Sequence, residues 1–161
     1  MDKRLEIFIR KQRGFENAKV TGLYKMPGGA SKETWAFDLH GANAKNDGVL
    51  PLVLRIERSS PLPVSIDLTQ EFSLMREVHA EGVVIPKPYW YGDDSLGNPF
   101  YVIERVKGET IVKRLHRDAR YEKARDLIAV QLAEILAGIH RIPVTRERFD
   151  FLPRRSQNGS S

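Results

Sequence analysis

The sequence predicts an α+β lobe: an antiparallel sheet of about five strands, one helix packed on it, and the first helices of an incomplete second lobe. Three observations lead there. Five apolar or alternating runs of strand length are separated by glycine and proline turns. A single helical periodicity interrupts them after the third run, and a long one follows the fifth. A chain of 161 residues fits one domain, or one lobe and part of another.

Leu5, Phe8 and Ile9 among charged neighbours predict a short amphipathic helix, ended near Gly14. Residues 18–25 (AKVTGLYK) and 33–40 (ETWAFDLH) read as strands joined by the tight turn Pro27-Gly28-Gly29, so the three pieces form a hairpin. A polar loop with Gly41, Asn43, Asn46, Asp47 and Gly48 leads to residues 50–57 (LPLVLRIE), a mostly apolar run suited to a buried strand. After Pro61 and Pro63, Asp67 can cap a helix that places Leu68, Phe72, Met75 and Val78 or His79 at helical spacing and stops at Gly82. Tyr89 to Tyr91 continues from an extended proline segment, and the turn at Asp93-Asp94 and Gly97-Asn98 feeds the strand Phe100 to Arg105. From about Arg120 to Arg141, Ala124, Leu127, Ile128, Leu132, Ile135, Leu136 and Ile139 mark a long helix that Pro143 ends. Residues 154–161 (RRSQNGSS) read as an unstructured tail.

Composition narrows the functional classes. There is no cysteine, so disulfides and thiolate metal sites are excluded, and four histidines scattered at 40, 79, 116 and 140 form no ligand cluster. No signal peptide or membrane span is evident, and the expected setting is the cytoplasm. The net charge of +5 is uneven: residues 1–100 hold 13 basic and 13 acidic side chains, and residues 101–161 hold 13 and 8. Such an excess serves an anionic ligand, or simply a solvated helix face. RNA binding by residues 113–125 ranks last, because Tyr121 is the only aromatic there to stack on a base.

The segments MPGGASKETWAFDL, LVLRIE, QEFSLMREVHAEGVVIPKPYWYGDD, GNPFYVIERVKGET and LAEILAGIHRI, in this order, resemble the N-terminal portion of the aminoglycoside phosphotransferase-like kinase family. The branch they resemble most includes kinase domains fused to acyl-CoA dehydrogenases. The resemblance implies a protein-kinase-like N-terminal lobe over residues 1–106, a hinge and the start of a helical lobe over 107–153, and ATP with Mg2+ as cofactors.

Each piece has a physical reading. Gly28 and Gly29 let the backbone come close to phosphate oxygens, and the Ser31 hydroxyl and Lys32 ammonium offer donors, although an ordinary hairpin turn needs the same glycines. The family commonly has a polar residue, often asparagine, where Lys32 stands. Arg55 closes Leu52-Val53-Leu54, where kinase-like folds place a cation for the inner phosphates, and its fork can hold a phosphate in two bonds. A strand-end surface charge is the plainer alternative. By resemblance Glu71 pairs with that cation, while Glu77, nearly two turns on, stays open as a substitute. In the strand leading to the hinge, the resemblance sets Ile103 behind the purine and gives the adenine edge the Glu104 carbonyl and Val106 amide. Plain core residues would look the same.

The catalytic residues are the gap. His116-Arg117-Asp118 spells a protein-kinase catalytic triplet, yet it precedes the long helix and has Lys123 where an asparagine would bind metal, which marks a chance match. No histidine-glycine-aspartate loop follows Ile139-His140, and Phe149-Asp150-Phe151 resembles a metal-binding aspartate only superficially. The chain therefore reads as a truncated kinase: a nucleotide-binding lobe of a small-molecule hydroxyl phosphotransferase, inactive alone, with no catalytic residue and no metal ligand of its own. Its expected partners are a nucleotide and, given a C-lobe, a hydroxyl substrate. The alternative is a non-catalytic interaction module or pseudokinase-like fragment, dimerising through the face a second lobe would cover.

Overall fold

The computed structural model describes residues 1–27, 32–41, 48–57 and 66–153. The glycine turn residues Gly28, Gly29 and Ser31, and the tail expected over 154–161, lie outside them. Five strands, β1 (Lys19–Lys25), β2 (Lys32–His40), β3 (Val49–Glu57), β4 (Pro88–Gly92) and β5 (Phe100–Glu104), form one antiparallel sheet in the order β1-β2-β3-β5-β4. The hairpin expected of residues 18–40 is its β1–β2 edge.

Strand alternation divides the apolar residues between two faces. On one face Phe37, Leu39, Leu52, Leu54, Ile56, Phe100 and Val102 form the main core. It is closed by α1 (Asp2–Arg10), which buries Leu5 and Ile9 and sets Phe8 edge-on to Phe100 at 4.8 Å. This makes a second packed helix beside the single one expected on the sheet. Glu6 of α1 accepts from the Val20 amide at 2.9 Å, and the Arg10 Nε donates to the Ala18 carbonyl at 2.8 Å, so the helix is also fixed to the edge strand.

On the other face α2 (Leu68–Ala80) packs Leu68 and Phe72 against Tyr101. The Asp67 cap forms as expected and is reciprocal: its carboxylate accepts from the Gln70 amide at 2.8 Å, while the Gln70 side-chain oxygen accepts from the Asp67 amide at 3.0 Å. Gly92 pairs with Phe100, and a Cβ at that glycine would come within 2.3 Å of the phenyl ring. Only glycine leaves that ring its place.

Beyond β5 come a short α3 (Val112–Arg117), a single 3-10 turn (Ala119–Tyr121) and α4 (Glu122–His140). At 6 residues, α3 is too short for an apolar periodicity to mark it in advance. No residue of α4 is buried: Leu127, Ile128, Val130, Leu132, Leu136 and Ile139 are all exposed.

Candidate functional site

The α2 face of the sheet is organised in rows, because residues paired across antiparallel strands point to the same side. Thr34, Arg55, Tyr101 and Tyr91 make one row, Ala36, Val53, Ile103 and Pro88 the next, and Asp38 and Pro51 lie beyond, where the Arg105 amide meets the Pro51 carbonyl at 3.1 Å. Lys32 stands at the opposite end. Successive rows are two residues apart, about 7 Å. The face therefore runs from a cationic end, over an apolar floor of Ala36, Val53 and Ile103, to an ion pair between Asp38 and Arg105.

Glu71 organises the cationic end. It sits in the first turn of α2, fixed there by the Asp67–Gln70 cap one residue earlier. Arg55 donates through one terminal nitrogen to Glu71 Oε1 at 2.9 Å, and the Lys32 ammonium pairs with Oε2. The Tyr101 hydroxyl donates to the same Oε1 at 2.8 Å and accepts from Arg55 at 3.1 Å, closing a triangle. Burial works against the charge on Glu71, but the Lys32 ammonium, the Tyr101 hydroxyl and the Arg55 guanidinium outweigh it and hold the carboxyl below its usual range. Burial, together with the bond to Glu71, raises the Tyr101 hydroxyl above the usual phenol range despite Arg55, so it stays protonated as a donor.

Two cations thus share one carboxylate at the end of an apolar floor, and their remaining N–H groups could be offered to an anion such as a phosphate. The Arg55 Nε is buried without a hydrogen-bond partner among the described residues, another sign that this guanidinium is not fully satisfied by protein. Among the described residues no group of three His, Asp or Glu side chains could hold a metal ion.

The structure therefore brings Lys32, Arg55 and Glu71 together, and sets Ile103 in the row beside them. Glu77, the other glutamate left open by the sequence, pairs instead with Arg148 at 2.6 Å. The Glu104 amide donates to the Lys87 carbonyl at 2.9 Å, and Val106 is exposed just past the strand. Asp118 of the chance triplet caps the 3-10 turn, accepting from the Arg120 amide at 3.1 Å. Sequence reasoning missed Tyr101. The available signal was strand parity: Tyr101 lies two residues before Ile103, on the side that faces Arg55.

A five-stranded antiparallel sheet with a helical glutamate aimed at a strand cation defines the N-terminal lobe of a kinase-like fold. The sequence model of the phosphotransferase enzyme family (APH) matches residues 25–158, and the chain belongs to that family. Acyl-CoA dehydrogenase family member 11 of Homo sapiens is 31% identical to it over 87 residues, covering 53% of this chain and 11% of that protein. The chain thus spans about a tenth of the length of this curated relative. No solved structure matches. No helix among the described residues is long and apolar enough to cross a membrane.

Proposed function

We propose that this chain supplies the nucleotide-binding lobe of an ATP-dependent phosphotransferase acting on a small-molecule hydroxyl. Residues 1–106 hold the nucleotide, and residues 107–153 form the hinge and the first helices of a second lobe. Lys32 and Arg55 receive phosphate oxygens, Glu71 aims them, and Gly28, Gly29 and Ser31 cover the phosphates from the glycine turn. Ile103 backs the purine, whose edge meets the Glu104 carbonyl and the Val106 amide. Mg2+ carried with ATP would neutralise phosphate charge. The observation that carries the reading is the sharing of Glu71 by two cations at one end of an apolar floor of Ala36, Val53 and Ile103.

The test is calorimetric titration of the chain with ATP and Mg2+, alongside a thermal melt. The expected outcome is saturable binding with a raised melting temperature, lost in Arg55→Ala. Complete indifference to ATP would overturn the reading. Phosphate transfer by the chain alone is expected to be undetectable, because no catalytic base loop occurs in its sequence.

A second reading, a non-catalytic interaction module, is favoured by the exposed apolar residues of α4. Indifference to ATP combined with concentration-dependent self-association in sedimentation would support it instead.

A further inference from the structure

The segment that follows α4 returns to α2 and grips it at both ends. The Gln70 side-chain nitrogen donates to the Phe151 carbonyl at 2.7 Å. Arg148 donates to the Glu77 carboxylate at 2.6 Å, to the Glu77 carbonyl at 3.3 Å and to the Glu81 carboxylate at 2.7 Å. The segment is itself folded into stacked turns: the Phe149 amide meets the Thr145 carbonyl, the Leu152 amide meets the Phe149 carbonyl, and Ile142 is buried. The Arg148 guanidinium also lies over the Phe149 ring, 5.5 Å from its centroid.

The gripped positions have a helical logic. At about 100° per residue, Glu77 and Glu81 fall within about 20° of Gln70 around the α2 axis, forming a single stripe. Glu71 lies about 100° from that stripe, on the edge turned to Arg55 and Lys32. Rotation of α2 about its axis is the motion that would carry Glu71 off its two cations. Contacts spread over a stripe about 16 Å long, from position 70 to 81, resist that rotation better than one contact could. Gln70 ties the two systems together, because its amide completes the Asp67 cap through the oxygen and holds Phe151 through the nitrogen.

We propose that residues 148–151 form a strap that sets the rotation of α2, with Arg148 and Gln70 as positioning residues for the Glu71–Arg55–Lys32 cluster. The consequence for ligand binding rests on the nucleotide reading above; the mechanical claim does not. The strap also gives whatever moves the region beyond α4 a route to the phosphate end of the site, some eighty residues earlier in the chain.

The test uses the full chain and two readouts. Hydrogen exchange followed by mass spectrometry measures protection of residues 68–80, and calorimetry measures ATP affinity in the presence of Mg2+. In Arg148→Met, exchange across α2 is expected to quicken about tenfold while β3 and β5 keep their protection. ATP affinity is expected to fall about fivefold. Arg148→Lys, which keeps the charge but cannot fork between Glu77 and Glu81, should fall between wild type and Arg148→Met. In a Glu71→Gln background, Arg148→Met should weaken ATP no further, because the strap acts through Glu71. Unchanged α2 exchange in Arg148→Met, or equal weakening in the Glu71→Gln background, would overturn the proposal. If wild type binds no ATP, the nucleotide reading falls, and the exchange of α2 alone then decides the strap. Should Arg148→Met fail to fold, Arg148→Lys and Gln70→Glu decide it, the latter retaining the cap acceptor but losing the donor to Phe151.

Discussion

The sheet and α4 hold similar kinds of apolar residue and put them to opposite use. Leu39, Leu52, Leu54, Phe100 and Val102 are fully buried between the sheet and α1, whereas Leu127, Leu132 and Leu136 on α4 stand about half exposed. Hydrophobic periodicity therefore reports which face of an element seeks cover, and says nothing of whether this stretch of chain provides it. The stability of the lobe should reside in the sheet, and α4 should contribute little of it.

The sharpest way to break that contrast is in the sheet. Phe100 touches Phe8 on α1 and fills the space that Gly92 leaves open. Phe100→Ala is expected to cost about 3–5 kcal/mol by urea denaturation, through lost transfer energy and the cavity it leaves. A loss below about 1 kcal/mol would mean that the main core is not where the cooperativity lies.

The next effect is smaller and depends on pH. Glu71→Gln removes the anion that two cations share, and should cost about 1–2 kcal/mol at neutral pH, since the cluster is partly exposed and water screens it. Because the folded-state value of Glu71 is depressed, its contribution is present above the ordinary glutamate value of 4.5 and is lost as pH falls below it toward the folded value. Wild type should therefore lose stability faster than Glu71→Gln below that point. Parallel acid profiles for the two proteins would show that Glu71 makes no net contribution. Tyr101→Phe, which removes one donor to the same carboxylate, should cost about 1 kcal/mol, measured by the same denaturation.

How much of this was legible depends on whether the information was local. The five strands and α2 were readable because alternation, the Asp67 cap and the Gly82 stop are written in adjacent residues. The pairing of Arg55 with Glu71 came from resemblance, since nothing local in either residue points to the other across 16 positions. Tyr101 was hidden because a tyrosine in an apolar strand looks like core, and its hydroxyl becomes informative only when its neighbours are known. The Arg148 contacts were beyond reach for the same reason: they join positions 71 residues apart, and a surface glutamate carries no mark of its partner.

The smallest expected effect tests the other half of the contrast. Leu132 is 59% exposed on α4, and Leu54 is fully buried in β3. Leu54→Ala should cost about 2–5 kcal/mol, because the sheet cannot collapse around the missing atoms. Leu132→Ala should change stability by less than about 0.5 kcal/mol, since leucine and alanine are both strong helix formers and little packing is lost. The same substitution made at several protein concentrations adds a second discrimination. If α4 meets another copy of the chain, the cost of Leu132→Ala will grow with concentration, because only the associated form buries that side chain. A cost that stays small at every concentration leaves α4 without a self-partner, and a large cost at low concentration would show that the helix packs within its own chain.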